Sequence, residues 1–104
     1  MPRISLCKTD ELQPETMLCK RVAGFGQVAV ARLGDDEYVA FDPHCPHAKG
    51  PLVEGRLHEG VVICPWHFFR FDLRTGEVPG AKSILKLRRF PATVSGGEVL
   101  VDLD

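Results

Sequence analysis

The chain has 104 residues, 44% of them hydrophobic and 26% charged, with a formal net charge of −1. That length holds one domain with a modest core and not two. Near-neutrality excludes a phosphate backbone as the main partner, because nucleic-acid binding calls for a basic face, and no apolar run approaches the roughly 20 residues needed to cross a bilayer. No positively charged segment precedes an apolar one as in a secretory leader. A cytoplasmic protein is expected, with no nucleic acid and no membrane among its partners.

In chain order the pattern predicts short strands at 4–7, 17–22, 27–33, 38–41, 61–64, 69–73, 84–87 and 99–103. Turn clusters separate them: Gly24-Phe25-Gly26, Gly34-Asp35-Asp36, Arg74-Thr75-Gly76 and Ser95-Gly96-Gly97. The clearest hairpin pairs 92–94 with 98–102 across Gly96-Gly97. Residues 10–13 suit one helical turn, capped by Thr9 or Asp10 and stopped by Pro14. Many short strands at this spacing imply an all-β sandwich or barrel, and without repeat or linker the whole of 1–104 reads as a single domain.

Between the strands lie two short motifs that carry chemistry, Cys45-Pro46-His47 and Cys64-Pro65-Trp66-His67. Each offers a thiolate and an imidazole from a tight loop. The first follows the strand that ends near Asp42, and the second follows 61–64, so both are expected at one end of a hairpin-like subdomain. In a short chain of this kind, Cys paired with nearby His favours metal over disulfide. Cys7 and Cys19 have no such histidine and read as small apolar side chains on strands.

Two metals suit the set. Cys2His2 is a common structural zinc set, although zinc sites usually pair Cys with Cys and His with His, and Cys-x-His is a tight bite for one tetrahedral ion. A Rieske-type [2Fe–2S] centre instead gives two sulfurs to one iron and two nitrogens to the other. Gly50 and Gly55 read as positions that admit loop conformations a side chain would hinder, while Pro46, Pro51 and Pro65 stiffen the loops.

The remaining candidates have plainer readings. His44 reads as a solvent-facing loop residue, since His47 completes the motif, and His58 as an exposed turn residue. Trp66, Phe68 and Pro46 either pack beneath the loops or form an apolar collar on which a partner docks. Lys82, Lys86, Arg88 and Arg89 read as a solvated strand face, with a docking patch as the lesser reading, and Asp35-Asp36-Glu37 as a turn.

The segments Cys45-Pro-His-Ala-Lys-Gly-Pro-Leu52 and Cys64-Pro-Trp-His-Phe-Phe-Arg-Phe-Asp-Leu-Arg-Thr-Gly76 resemble the Rieske ferredoxin family. They are also similar to the Rieske-like small subunit of assimilatory nitrite reductase. The resemblance implies a Rieske-like antiparallel sandwich or barrel with a small cluster-binding lobe of two loops, about 43–80. It implies one [2Fe–2S] cluster per chain, held by Cys45, His47, Cys64 and His67, with Pro79-Gly80-Ala81 as a covering third loop. Respiratory-complex members clamp the cluster with a disulfide and donate O–H bonds from Ser and Tyr. The matching positions here are Gly50 and Trp66, then Phe69 and Phe71, so clamp and donors are both missing. A midpoint toward the low end of the family's range, about −150 to +300 mV, follows.

Three functions then stand. The first is a monomeric one-electron carrier, no enzyme by itself, between a flavin reductase and a terminal oxygenase. The second is the small subunit of an NAD(P)H nitrite reductase, bound to its large subunit. The third is a zinc-stabilised interaction module. A catalytic oxygenase is disfavoured, because only His44 and His58 remain for the two-histidine, one-carboxylate iron site it needs.

Overall fold

The computed structural model describes residues 3–46, 50–66, 68–80 and 85–103, and within them ten strands. In chain order these are β1 (Arg3–Lys8), β2 (Thr16–Val22), β3 (Gly26–Arg32), β4 (Tyr38–Phe41), β5 (Arg56–His58), β6 (Val61–Ile63), β7 (Arg70–Asp72), β8 (Arg89–Phe90), β9 (Ala92–Ser95) and β10 (Glu98–Asp102). They form three sheets, ordered β1-β10-β9, β2-β3-β4-β8 and β5-β6-β7. Every pairing is antiparallel.

The four-stranded sheet is the middle layer, and β3 shows why. Its run Val28-Ala29-Val30-Ala31 is buried on both faces. Successive side chains of a strand point to opposite faces, and the two sets enter different cores. Val28 and Val30 join Leu6, Ala40, Phe90, Val99 and Val101 against the terminal sheet. Ala29 and Ala31 join Phe41, Cys45, Leu52, Val62, Cys64, Phe71 and Leu73 against the small sheet. The short alanines on the second face let that sheet approach closely.

Turn chemistry fixes the hairpins. Gly96 and Gly97 have φ of 59° and 78°, the pair of positive values that a two-residue loop matching strand twist requires, and they place Ser95 opposite Glu98. The β2–β3 hairpin turns at Gly24 and Gly26, leaving Phe25 between them 41% exposed.

The all-β class, the antiparallel pairing and most strand positions agree with the sequence reading. Three points differ. Of the expected strand at 84–87, residue 84 lies outside the described residues and 85–87 are not strand; the ladder with β4 begins at β8, where Arg89 faces Phe41. β5 was unforeseen: His58 ends it, and Glu59-Gly60 make the turn. The helical turn is a 3-10 turn at Thr9–Glu11, entered through Lys8 rather than through a Thr9 or Asp10 cap. The Glu11 carboxylate accepts the Lys8 N–H at 2.7 Å and Lys20 Nζ at 3.0 Å, so the turn is held from behind.

Candidate metal centre

The first loop leaves β4 in the middle sheet and arrives at β5 in the small sheet. It is closed as a ring by backbone bonds: Cys45 N–H donates to the Gly50 carbonyl at 2.9 Å, and Leu52 N–H to the Pro43 carbonyl at 2.9 Å. His44 and Pro51 form an isolated bridge across it. Asp42 steadies the entry, one carboxylate oxygen taking the His44 N–H at 2.9 Å and lying 2.8 Å from His44 Nδ1.

The second loop joins β6 to β7 and is tighter. Cys64 N–H donates to the Phe69 carbonyl at 2.8 Å, and Phe68 N–H donates back to the Cys64 carbonyl at 2.9 Å. This closure holds Phe68 at φ 56°, an uncommon conformation for a bulky side chain. The two loops are therefore not equivalent. One bridges two sheets, and the other caps a hairpin within one.

What brings them together is the absence of two side chains. A Cβ on Gly50 would lie 3.0 Å from Cys64 Sγ and 3.0 Å from Trp66 Cδ2. A Cβ on Gly55 would lie 1.9 Å from the Ile63 carbonyl oxygen. Gly55 has a φ of −85°, which any residue can adopt. Their role is close approach rather than the conformational freedom that sequence suggests. Gly55 presses the first loop onto the end of β6, and Gly50 opens the space beside the Cys64 sulfur.

Both Cys45 and Cys64 are fully buried in the same core as Leu52, Val62, Phe71 and Leu73, and no disulfide joins the described cysteines. The partners predicted for them, His47 and His67, lie outside the described residues, as does Ala81 of the third loop. Among the described residues no group of three or more His, Cys, Asp or Glu could hold a metal. Two soft sulfurs in an apolar cradle that excludes extra Cβ atoms fit an iron–sulfur cluster, which needs thiolate donors and a shell of low dielectric.

The other two cysteines differ in kind. Cys7 is buried on β1 and Cys19 half-buried on β2. Burial raises both thiols above the usual range, helped by Glu11 for Cys7, against an opposing pull from Lys20, and by Asp42 for Cys19. Cys7 lies in the core on the other face of the middle sheet from Cys45 and Cys64. Around the loops Trp66 is 57% and Phe68 74% exposed, so these two form an apolar collar rather than packing beneath. Phe69 and Phe71 stack with centroids 5.4 Å apart, placing hydrocarbon where the respiratory type has hydroxyl donors.

Sequence reasoning missed one contact that positions the lobe. Glu37, in the turn before β4, accepts two bonds from Arg74 after β7, Nε at 2.8 Å and an Nη at 2.9 Å. Glu37 and Arg74 are opposite charges, but a separation of 37 positions gives no sequence signal for their pairing.

The family profile of the Rieske [2Fe-2S] domain matches residues 3–91. The ferredoxin component of the p-cumate 2,3-dioxygenase system of Pseudomonas putida is 35% identical over 101 residues, covering 96% of this chain and 85% of that protein. A structure of the complex of reduced oxygenase and oxidized ferredoxin in carbazole 1,9a-dioxygenase contains a chain with a TM-score of 0.86 and 31% identity, covering 95% of this chain and 100% of that one. A protein described as an NADH-dependent nitrite reductase small subunit from Mycobacterium tuberculosis reaches a TM-score of 0.83 over 96% of this chain and 93% of that one, but at 22% identity it shares the fold alone. With the profile spanning most of the length and the two buried cysteines on adjoining loops, this chain belongs to the Rieske [2Fe-2S] family.

Proposed function

We propose that the chain is the ferredoxin of an oxygenase system, a single domain that carries one electron at a time. The electron comes from a flavin reductase and passes to a terminal oxygenase. Cys45, His47, Cys64 and His67 hold the [2Fe–2S] cluster. The observation that carries this is the burial of Cys45 and Cys64 in one core, with Gly50 leaving space at the Cys64 sulfur. When bound, the cluster supplies a one-electron couple, and neutral imidazoles in place of two thiolates make its reduction easier.

The residues of the chain do the rest. The buried thiolates and the hydrocarbon of Leu52, Phe71 and Leu73 keep water from the sulfur side. Trp66 and Phe68, exposed beside the second loop, give a partner an apolar surface close to the cluster. The chain is an electron carrier and not a catalytic enzyme. We place it in the cytoplasm as a monomer.

Reconstitution tests this. The purified chain should be red-brown, take up two irons and two sulfides, and support turnover of an oxygenase encoded beside it when a flavin reductase and NAD(P)H are present. A colourless protein with one zinc would overturn the reading. Co-purification with a large sirohaem subunit would favour the nitrite reductase alternative.

A further inference from the structure

A cleft of about 470 Å³ adjoins the first loop, lined by Asp42, His44, Cys45, Pro46, Lys86 and Arg88. Arg88 is the unusual member. Its guanidinium carbon lies 4.9 Å from the Phe90 ring centroid and 5.8 Å from that of Phe25, and the two rings meet edge to face at 5.6 Å. Two aromatic rings thus hold this side chain, an arrangement that attracts a cation and limits its rotamers. Yet among the described residues no carboxylate pairs with it.

The absence is informative because a carboxylate is at hand. Asp42, in the same cleft, donates its backbone N–H to the Arg88 carbonyl at 2.9 Å. Its side chain is turned instead to His44. Lys86 adds a second cation, 67% exposed and only loosely associated with Glu77 at 3.7 Å, outside the cleft. A pre-ordered guanidinium with unspent donors, on a residue that lines a cleft, suits a carboxylate. The receptor borders Cys45 and Pro46, on a protein whose net charge is −1.

We propose that Arg88, supported by Lys86 and braced by Phe25 and Phe90, is a docking point for acidic side chains of the protein that exchanges electrons with this chain. The inference rests on the electron-carrier reading above and adds to it where the partner sits and what charge it presents. An Arg anchored on aromatic rings has the makeup of an interface hot spot. Here it would draw the partner to the side of the apolar collar and set its register over the loops.

The test uses the reduced holoprotein and ferricyanide, a trianion, in a stopped-flow instrument, where one electron passes from the protein to give ferrocyanide. The cation tris(phenanthroline)cobalt(III) is the control oxidant. At low ionic strength the wild-type rate with ferricyanide should fall as NaCl is added, whereas net charge alone predicts a rise. Arg88→Glu should slow ferricyanide on the order of tenfold at low salt, speed the cobalt complex and reverse the salt trend. Arg88→Gln, milder to the fold, should give an intermediate value. Polyglutamate should protect the wild type but not Arg88→Glu.

A wild-type rate that rises with salt, or variants that match it, would overturn the proposal. So would free glutamate protecting as well as polyglutamate at equal ionic strength, since the cleft would then take small anions rather than a protein. Loss of the red-brown absorbance from the wild type would sink the carrier reading and this inference together. Intact absorbance with kinetics blind to Arg88 would sink this inference alone.

Discussion

Gly55 and Gly50 show how much a single missing Cβ decides. At Gly55 the clash would be with backbone, 1.9 Å from the Ile63 carbonyl oxygen, and backbone cannot swing aside. Gly55→Ala should therefore detach the first loop from β6 and lower stability by about 3 kcal/mol or more, the range of severe core disruption. Thermal unfolding of the apoprotein measures this, and a variant as stable as the parent would show that the approach is not needed. Gly50→Ala meets a sulfur and a ring at 3.0 Å, so it should fold and yet bind iron poorly. The hydrocarbon pair Phe69–Phe71 carries its own expectation. With no hydroxyl there to stabilise added negative charge, a redox titration should give a midpoint near the low end of about −150 to +300 mV. A clearly positive midpoint would contradict it. Cys7→Ser should leave the cluster spectrum unchanged, because that thiol sits on β1 in the core on the other face of the middle sheet from Cys45 and Cys64.

At the scale of elements, the lobe is tied to the middle sheet by the two loops and by the Glu37–Arg74 clasp. The hydrogen bonds from Arg74 hold the Glu37 carboxyl below the usual carboxylate range, with burial opposing them and the Arg74 charge assisting. A carboxylate with a depressed pKa stabilises the fold above its ordinary value near 4.3, and the contribution is lost as pH falls through its folded-state pKa. Both side chains are about half exposed, so solvent screening keeps the effect modest. Glu37→Gln should lower the melting temperature by a few degrees at pH 7, and the difference from wild type should close as pH drops below about 4. A gap that persists at low pH would mean that Gln perturbs the turn by another route.

Strands and turns were legible because period-two patterning and Gly pairs act locally, as in the β9–β10 hairpin. The 3-10 turn was misread because its holding contact runs from Glu11 back to Lys8 instead of through a Ser, Thr or Asp cap. β8 begins later than the pattern suggests because the backbone just before it bonds outside any ladder, Leu87 N–H donating to the Gly76 carbonyl at 2.8 Å and the Arg88 carbonyl accepting from Asp42 N–H at 2.9 Å. Three-residue β5 carries too short a pattern to detect. Cys45 and Cys64 were legible through spacing to His47 and His67, whereas Gly55 and the clasp depend on contacts that only the fold creates.

For the whole molecule, the middle sheet couples two cores through β3. Val28 and Val30 serve one face while Ala29 and Ala31 serve the other, so neither outer sheet should melt alone. Phe71, fully buried on β7, lies in the core that also holds both cysteines. Phe71→Ala should cost about 3–5 kcal/mol, a large part of the ~5–15 kcal/mol available to a domain. Near- and far-ultraviolet circular dichroism should still report one coincident transition; separate transitions would show the lobe to be an independent unit.

The joining of two buried sulfurs to two imidazoles is the claim from which the electron-carrier function follows. Pulsed EPR of the dithionite-reduced protein, prepared with 15N-labelled histidine, tests it most directly. The prediction is a single unpaired electron coupled to two histidine nitrogens, with one coupling lost in His47→Ala and the other in His67→Ala, if either variant retains a cluster. A signal with no histidine coupling, or a reducible cluster unchanged without His67, would contradict the assignment.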